Sequence, residues 1–302
     1  MIQQQNFETT CADGVVLRGL LLIPENPKAV VQFNGGTAAK KEFYLPFLTY
    51  LAEQDYLCCL WDYRGSGDSA PLSLRGCSYT FRDYGLKDMP TIQAFLLQRY
   101  PNLPLLLFGH SVGGQQMALA TDLSAYKGMV GVAISTGYFG NMTWRYRLTY
   151  LFYFYFFSPL SILLWGYVRS KPFGFMENLP KRVVLEWRRW CKREAYFFDP
   201  AFANKTVPIR CYDAIPFPMH IFWTTDDDIS NEANTRSFWS HVIGCYEVSF
   251  RQIDPSEFGN RPINHFGFFR KDKKESLWLE AKEKLDAYLV AIDTPELFLG
   301  SR

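Results

Sequence analysis

The 302-residue chain reads as a doubly wound α/β protein, with a mostly parallel sheet, helices on both faces and one inserted cap. Short apolar runs without polar alternation recur along it, which is the pattern of strands covered on both faces. Helical patterns separate these runs, and strand alternating with helix implies a parallel sheet built from crossover units. One long aromatic segment breaks the alternation and accounts for the cap.

In chain order, "VVLRGLLLIP" (15–24) suits an early antiparallel strand. The runs "KAVVQFNGG" (28–36) and "YLCCLWDYRG" (56–65) end in glycine-containing loops, and "PLLLFGHS" (104–111) and "GMVGVAIST" (128–136) repeat the theme. "PMHIFWTTD" (218–226) and "YEVSFRQID" (246–254) complete the strand set. Helices are expected at 41–53, 87–99, 113–121 and 273–291. The stretch 141–217 is too long for a loop and reads as an inserted cap, leaving 1–140 and 218–302 as the core.

Nearly half of the residues are apolar and the net charge is +2, so a large core is available and nothing in the charge points to nucleic acid. The seven cysteines are odd in number and lack the short paired spacings of a zinc site or a disulfide framework. Reduced cysteines in a cytoplasmic protein are expected. The polar start "MIQQQNFETT" shows no basic-then-apolar pattern, so no secretory signal is expected either.

The stretch "LLFGHSVGG" (106–114) ends an apolar run in a serine boxed by glycines. Gly109-His110-Ser111-Val112-Gly113 is G-x-S-x-G between a strand and a helix, the context of a nucleophile elbow. A sharp turn there strains the serine backbone and aims its hydroxyl off the carboxyl edge of the sheet, where reactive groups gather. A serine hydroxyl needs a base and a third group to orient that base. Of the four histidines, His110 lies inside the elbow, His220 within a strand and His241 in a helical, surface-like stretch. His265, in a loop after the last strand, is the candidate base. The acid should fall between the two in the chain, and "FWTTDDDIS" offers Asp226, Asp227 and Asp228. Asp227 is the choice, with Asp226 next and Asp228 suited to capping the following helix. For the oxyanion, the N–H of Val112 at the helix start is one donor. The N–H of Gly36 is the second, with Thr37 as the alternative.

With these residues placed, the chain resembles the α/β-hydrolase superfamily over nearly its whole length. "NGG" (34–36) looks like the oxyanion loop, "DYRGSGDS" (62–69) the loop after the fourth sheet strand, "TTDDDIS" the acid turn and "NHFGFF" the histidine loop. More narrowly, "SLRG", "GHSVGGQ", "LEWRRWC" and "HFGFFR" are similar to a bacterial group of predicted α/β hydrolases with serine-aminopeptidase-like members. Asn34 stands where that superfamily usually has His, and Thr224 where it usually has Gly.

The expected activity is hydrolysis of a carboxylic ester or thioester with a small or medium apolar acyl group, through an acyl-enzyme, with no metal or organic cofactor. An aminopeptidase is the second reading, and Glu177, Glu186 and Glu194 are its candidate ammonium ligands. A non-catalytic or membrane-associated binding protein on the same fold is the third. The run 148–168 carries no charge over 21 residues. A cap over the site, with Phe152, Phe156 and Trp165 selecting the acyl chain, is expected before peripheral membrane contact, and that before a span.

Overall fold

The computed structural model describes residues 1–119, 122–174 and 176–293. Among the described residues, eight strands form one sheet in the order β1-β2-β4-β3-β5-β6-β7-β8. They are β1 (Gln3–Thr10), β2 (Val16–Ile23), β3 (Ala29–Asn34), β4 (Tyr56–Trp61), β5 (Leu105–His110), β6 (Tyr126–Val132), β7 (Ile215–Thr224) and β8 (Cys245–Ile253). β2 pairs antiparallel with β1 and with β4, and every other pairing is parallel.

The unbroken apolar runs follow from burial on both faces. In β4, Leu57, Cys59 and Trp61 enter one core while Tyr56, Cys58 and Leu60 enter the other. In β5, Leu105 and Leu107 face the first core, and Leu106 and Phe108 the second. Side chains alternate across a sheet, so a strand with both faces covered has no polar position. The second core is closed by helix Lys41–Ala52 and by the C-terminal helix Leu279–Asp293. Helix Met89–Arg99 packs on the first.

β1 lies outside the expected strand set. It is a sheet edge in which Phe7 is the buried residue, stacked on Phe95 at 4.5 Å. An edge strand with polar residues on both faces leaves no apolar run to read. Helix Glu232–Trp239 is likewise additional, and its N-cap is Asn231, which accepts from the Asn234 amide, rather than Asp228. The Asp228 carboxylate instead takes the Thr143 hydroxyl.

The connection from β6 to β7 holds the long helix Trp144–Trp165 and the helix Lys181–Cys191. Ser158 and Pro159 do not break the first of these. Pro159 is the second residue of its final α-helical stretch, and a wide turn at Tyr153–Phe157 precedes it, so the missing N–H is absorbed. The seven cysteines are all free thiols.

Candidate active site

Ser111 directly follows β5 with φ at +51° and ψ at −118°, a positive-φ conformation that non-glycine residues rarely adopt. Its N–H is tied to the Val132 carbonyl at 3.0 Å, which holds the turn against β6. The neighbouring glycines are required by contact. A Cβ on Gly113 would run into the Asn34 carbonyl, and one on Gly114 into the Ile134 side chain. The elbow helix Val112–Gln115 therefore lies directly on the ends of β3 and β5. As its first residue, Val112 has no intrahelical carbonyl to bond, so its N–H is available at the helix N-terminus.

His265 Nδ1 lies 2.7 Å from Asp227 Oδ2. The Asp227 carboxylate is almost fully buried and also accepts from the amides of Ile229 at 2.7 Å and Ser230 at 3.0 Å. Burial alone would raise its pKa, but the His265 ring and those two amides hold it below the usual carboxylate value. An ionised Asp227 fixes the proton on Nδ1 and leaves Nε2 as the free basic nitrogen.

Asp226 has different partners. Its oxygens accept the amides of Ile263 at 2.7 Å and Asn264 at 3.0 Å, the two residues before His265, and the Thr224 hydroxyl at 2.6 Å. Asp226 thus anchors the loop, while Asp227 contacts the imidazole. Sequence alone left these two carboxylates open, because the turn offers both and only the three-dimensional partners distinguish them.

Gly36 does not present the amide expected of it. Its N–H donates to the Tyr44 hydroxyl at 2.8 Å. Among the described residues, the N–H of Thr37 has no partner. Tyr44 extends the connection, because its oxygen lies 2.8 Å from His110 Nδ1, and His110 Nε2 lies 2.9 Å from the His265 carbonyl. A carbonyl only accepts, so Nε2 carries the proton; Nδ1 then accepts from Tyr44, whose lone pair receives the Gly36 amide. Burial, then the nearby His265 ring, push the His110 pKa down to about 3, so its ring stays neutral. His110 was legible as an elbow residue but not as a link between loops, because its partners lie 66 and 155 residues away. His220, which bonds Ser249, and His241, which stacks on Phe198, lie elsewhere.

Ser111 and His265 line one cavity of about 270 Å³ together with Gly36 and Thr37. Its remaining wall is largely aromatic. Tyr146, Tyr150, Phe152, Tyr153 and Phe154 come from the helix Trp144–Trp165, Trp187 from the helix Lys181–Cys191 and Phe266 from the loop that carries His265. Phe156 and Trp165, expected with Phe152 to meet the acyl chain, are not part of that wall. Among the described residues, no three His, Cys, Asp or Glu side chains converge in a way that would hold a metal ion.

The family described as serine aminopeptidase, S33, matches residues 25–152, less than half of the chain. Solved structures match almost all of it. An esterase of Pyrococcus furiosus has a TM-score of 0.61 at 16% identity, covering 96% of this chain and 91% of that one. The chain has the α/β-hydrolase fold. A lipase in an open form aligns with this chain at TM-score 0.63 and 17% identity, over 95% of this chain and 99% of the other. A haloalkane dehalogenase variant from Bradyrhizobium elkanii aligns at 0.65 and 10% identity, over 97% and 100%. At such identities the likeness is one of fold. Among curated proteins, none matches this chain by sequence. Its two departures from the superfamily pattern each have a structural partner here. Asn34 donates to the Gly113 carbonyl at 3.4 Å and accepts from Gln32 at 3.2 Å, joining β3 to the elbow helix. Thr224 supplies the hydroxyl that orients Asp226.

Proposed function

We propose that the protein is a serine hydrolase acting on carboxylic esters or thioesters with an apolar acyl group. The observation that carries this reading is a strained Ser111 facing the same aromatic cavity as His265, whose ring is held by a buried, ionised Asp227. In the proposed reaction His265 Nε2 takes the Ser111 proton as Oγ bonds to the acyl carbon. The N–H groups of Val112 and Thr37 receive the oxyanion, and Thr37 rather than Gly36 has the uncommitted amide. Collapse of the tetrahedral species breaks the bond to the leaving oxygen or sulfur, which takes the proton from His265. Water then enters by the same route, and its attack releases the acid and restores Ser111.

The apolar wall favours an uncharged acyl chain, since burying a charge there without a partner is costly. An aminopeptidase needs a carboxylate facing the substrate ammonium group, and the cavity wall carries none among the described residues. Glu177 is paired with Lys171 at 3.3 Å and Glu186 with Arg82 at 2.6 Å. Glu194 lies outside the cavity wall.

Labelling by a fluorophosphonate probe tests the nucleophile. The parent should label and Ser111→Ala should not, with hydrolysis falling on the order of 10⁶-fold, as for a comparable nucleophile. A Ser111→Ala variant within tenfold of the parent would falsify the assignment. A panel of acyl esters, acyl thioesters and aminoacyl anilides identifies the bond cleaved, and preference for the anilides would favour the aminopeptidase.

A further inference from the structure

The long cap helix has two apolar faces and only one of them is used by the fold. Tyr150, Tyr153 and Phe154 point inward to the core and the cavity. Trp144, Leu148, Phe152, Phe156, Leu160 and Leu163 recur at three- and four-residue steps on the opposite side, and all are exposed, Phe156 by 61% and Leu163 by 80%. At about 1.5 Å per residue, the stripe from Trp144 to Leu163 runs for about 28 Å along the 22-residue helix. Monomeric soluble proteins rarely expose a contiguous apolar surface of that extent.

Charge identifies the occupant. Residues 141–217 contain twelve Lys and Arg against five Asp and Glu, a net +7, so in a chain of net +2 the remainder carries −5. The cations edge the stripe. Arg145 lies over the Trp144 ring at 5.3 Å at one end, and Arg169 over Trp165 at 5.5 Å at the other. Arg188 and Lys192 lie over Tyr155, at 5.1 and 5.8 Å, along the side. An apolar stripe rimmed by cations and bracketed by tryptophans suits the boundary between lipid headgroups and acyl chains. A second copy of the chain would bring two net-positive caps face to face. A span fits poorly, because the inward face is packed into the protein and tied there by the Tyr150 hydroxyl to Cys191 at 2.7 Å and by Arg188 to the Phe154 carbonyl at 3.1 Å.

We infer that the outward face of the helix Trp144–Trp165 docks in the plane of an anionic lipid surface, with the active-site cavity directly behind it. Phe152 joins the two, being half-exposed on the stripe and part of the cavity wall.

Flotation of the purified full-length protein with vesicles tests the inference. Vesicles of phosphatidylcholine mixed with phosphatidylglycerol should carry the protein, and phosphatidylcholine alone should carry much less. Raising salt from about 0.1 M to about 1 M, which shortens the screening length from about 10 Å to about 3 Å, should release it. Leu148→Glu with Leu163→Glu should weaken binding at least about tenfold through the lost apolar contact and the added charge. The combined Arg145→Gln and Lys192→Gln variant should lower partitioning roughly fivefold per charge. Both variants should keep the parent's thermal transition and its hydrolysis of a water-soluble short-chain ester. Ser111→Ala should float like the parent, which separates docking from catalysis. Failure to float with anionic vesicles at low salt, or equal flotation of the parent and the double glutamate variant, would overturn the inference. So would a parent that sediments as a dimer, does not float and becomes monomeric in the glutamate variant.

Discussion

Asp226 and Asp227 are adjacent on the turn after β7, and their oxygens face different groups. Asp227 faces the imidazole, and Asp226 faces two amides of the loop that carries it. Asp227→Asn keeps a group able to hydrogen-bond but favours the wrong imidazole tautomer and cannot stabilise the imidazolium, so kcat should fall by about 10⁴. Asp226→Asn leaves one oxygen where two were used. It should mainly lower unfolding stability, by about 1–3 kcal/mol, with a smaller fall in kcat. Steady-state kinetics beside urea unfolding separate the two effects, and a larger kcat loss at Asp226 would reverse the roles. Sequence narrowed the acid to this turn through its position between Ser111 and His265. It did not reveal that Thr224, departing from the expected Gly, orients Asp226, because a hydroxyl two residues away leaves no spacing signal.

At the scale of the elements, the central strands β4 and β5 were legible because burial on both faces removes their polar positions. β1 was not, since an exposed edge strand shares its composition with a loop. The helix Trp144–Trp165 was legible as a long apolar run, but its phase across Ser158 and Pro159 was not, because a wide turn shifts the register by one residue. The packed side of the helix decides which aromatics face the cavity. Phe152 lines it, whereas Phe156 faces outward and stacks on Phe152 at 5.3 Å. Phe152→Ala should therefore alter the dependence of kcat/KM on acyl-chain length, each methylene buried or lost being worth about 0.8 kcal/mol, or roughly fourfold. Phe156→Ala should leave the profile parallel to that of the parent on soluble esters. Parallel profiles for both variants would remove the cap helix from chain selection.

Across the whole molecule, three segments distant in sequence meet through one buried chain of hydrogen bonds. The loop at Gly36 reaches Tyr44, Tyr44 reaches His110 in the elbow, and His110 reaches the backbone of His265. The chain requires a neutral His110 ring, since a proton on Nδ1 would displace the Tyr44 hydroxyl. The folded pKa of this ring is pushed from 6.5 to about 3, so below 6.5 the unfolded chain binds the proton that the folded chain refuses. The contribution of neutral His110 is thus complete above pH 6.5 and is lost progressively as pH falls toward 3. The steepest dependence is about 1.4 kcal/mol per pH unit. Other groups add to the total, His220 among them, with a pKa lowered to about 4 by burial and then by the nearby Lys284 and Arg251 charges. The decisive quantity is therefore the difference between the parent and His110→Gln, which cannot titrate there. Urea unfolding at intervals from pH 7 down to pH 4 should show the parent losing stability faster than the variant, with the gap between them closing as pH falls. Equal slopes would mean that His110 is not held neutral, and the connection between the three loops would need another explanation.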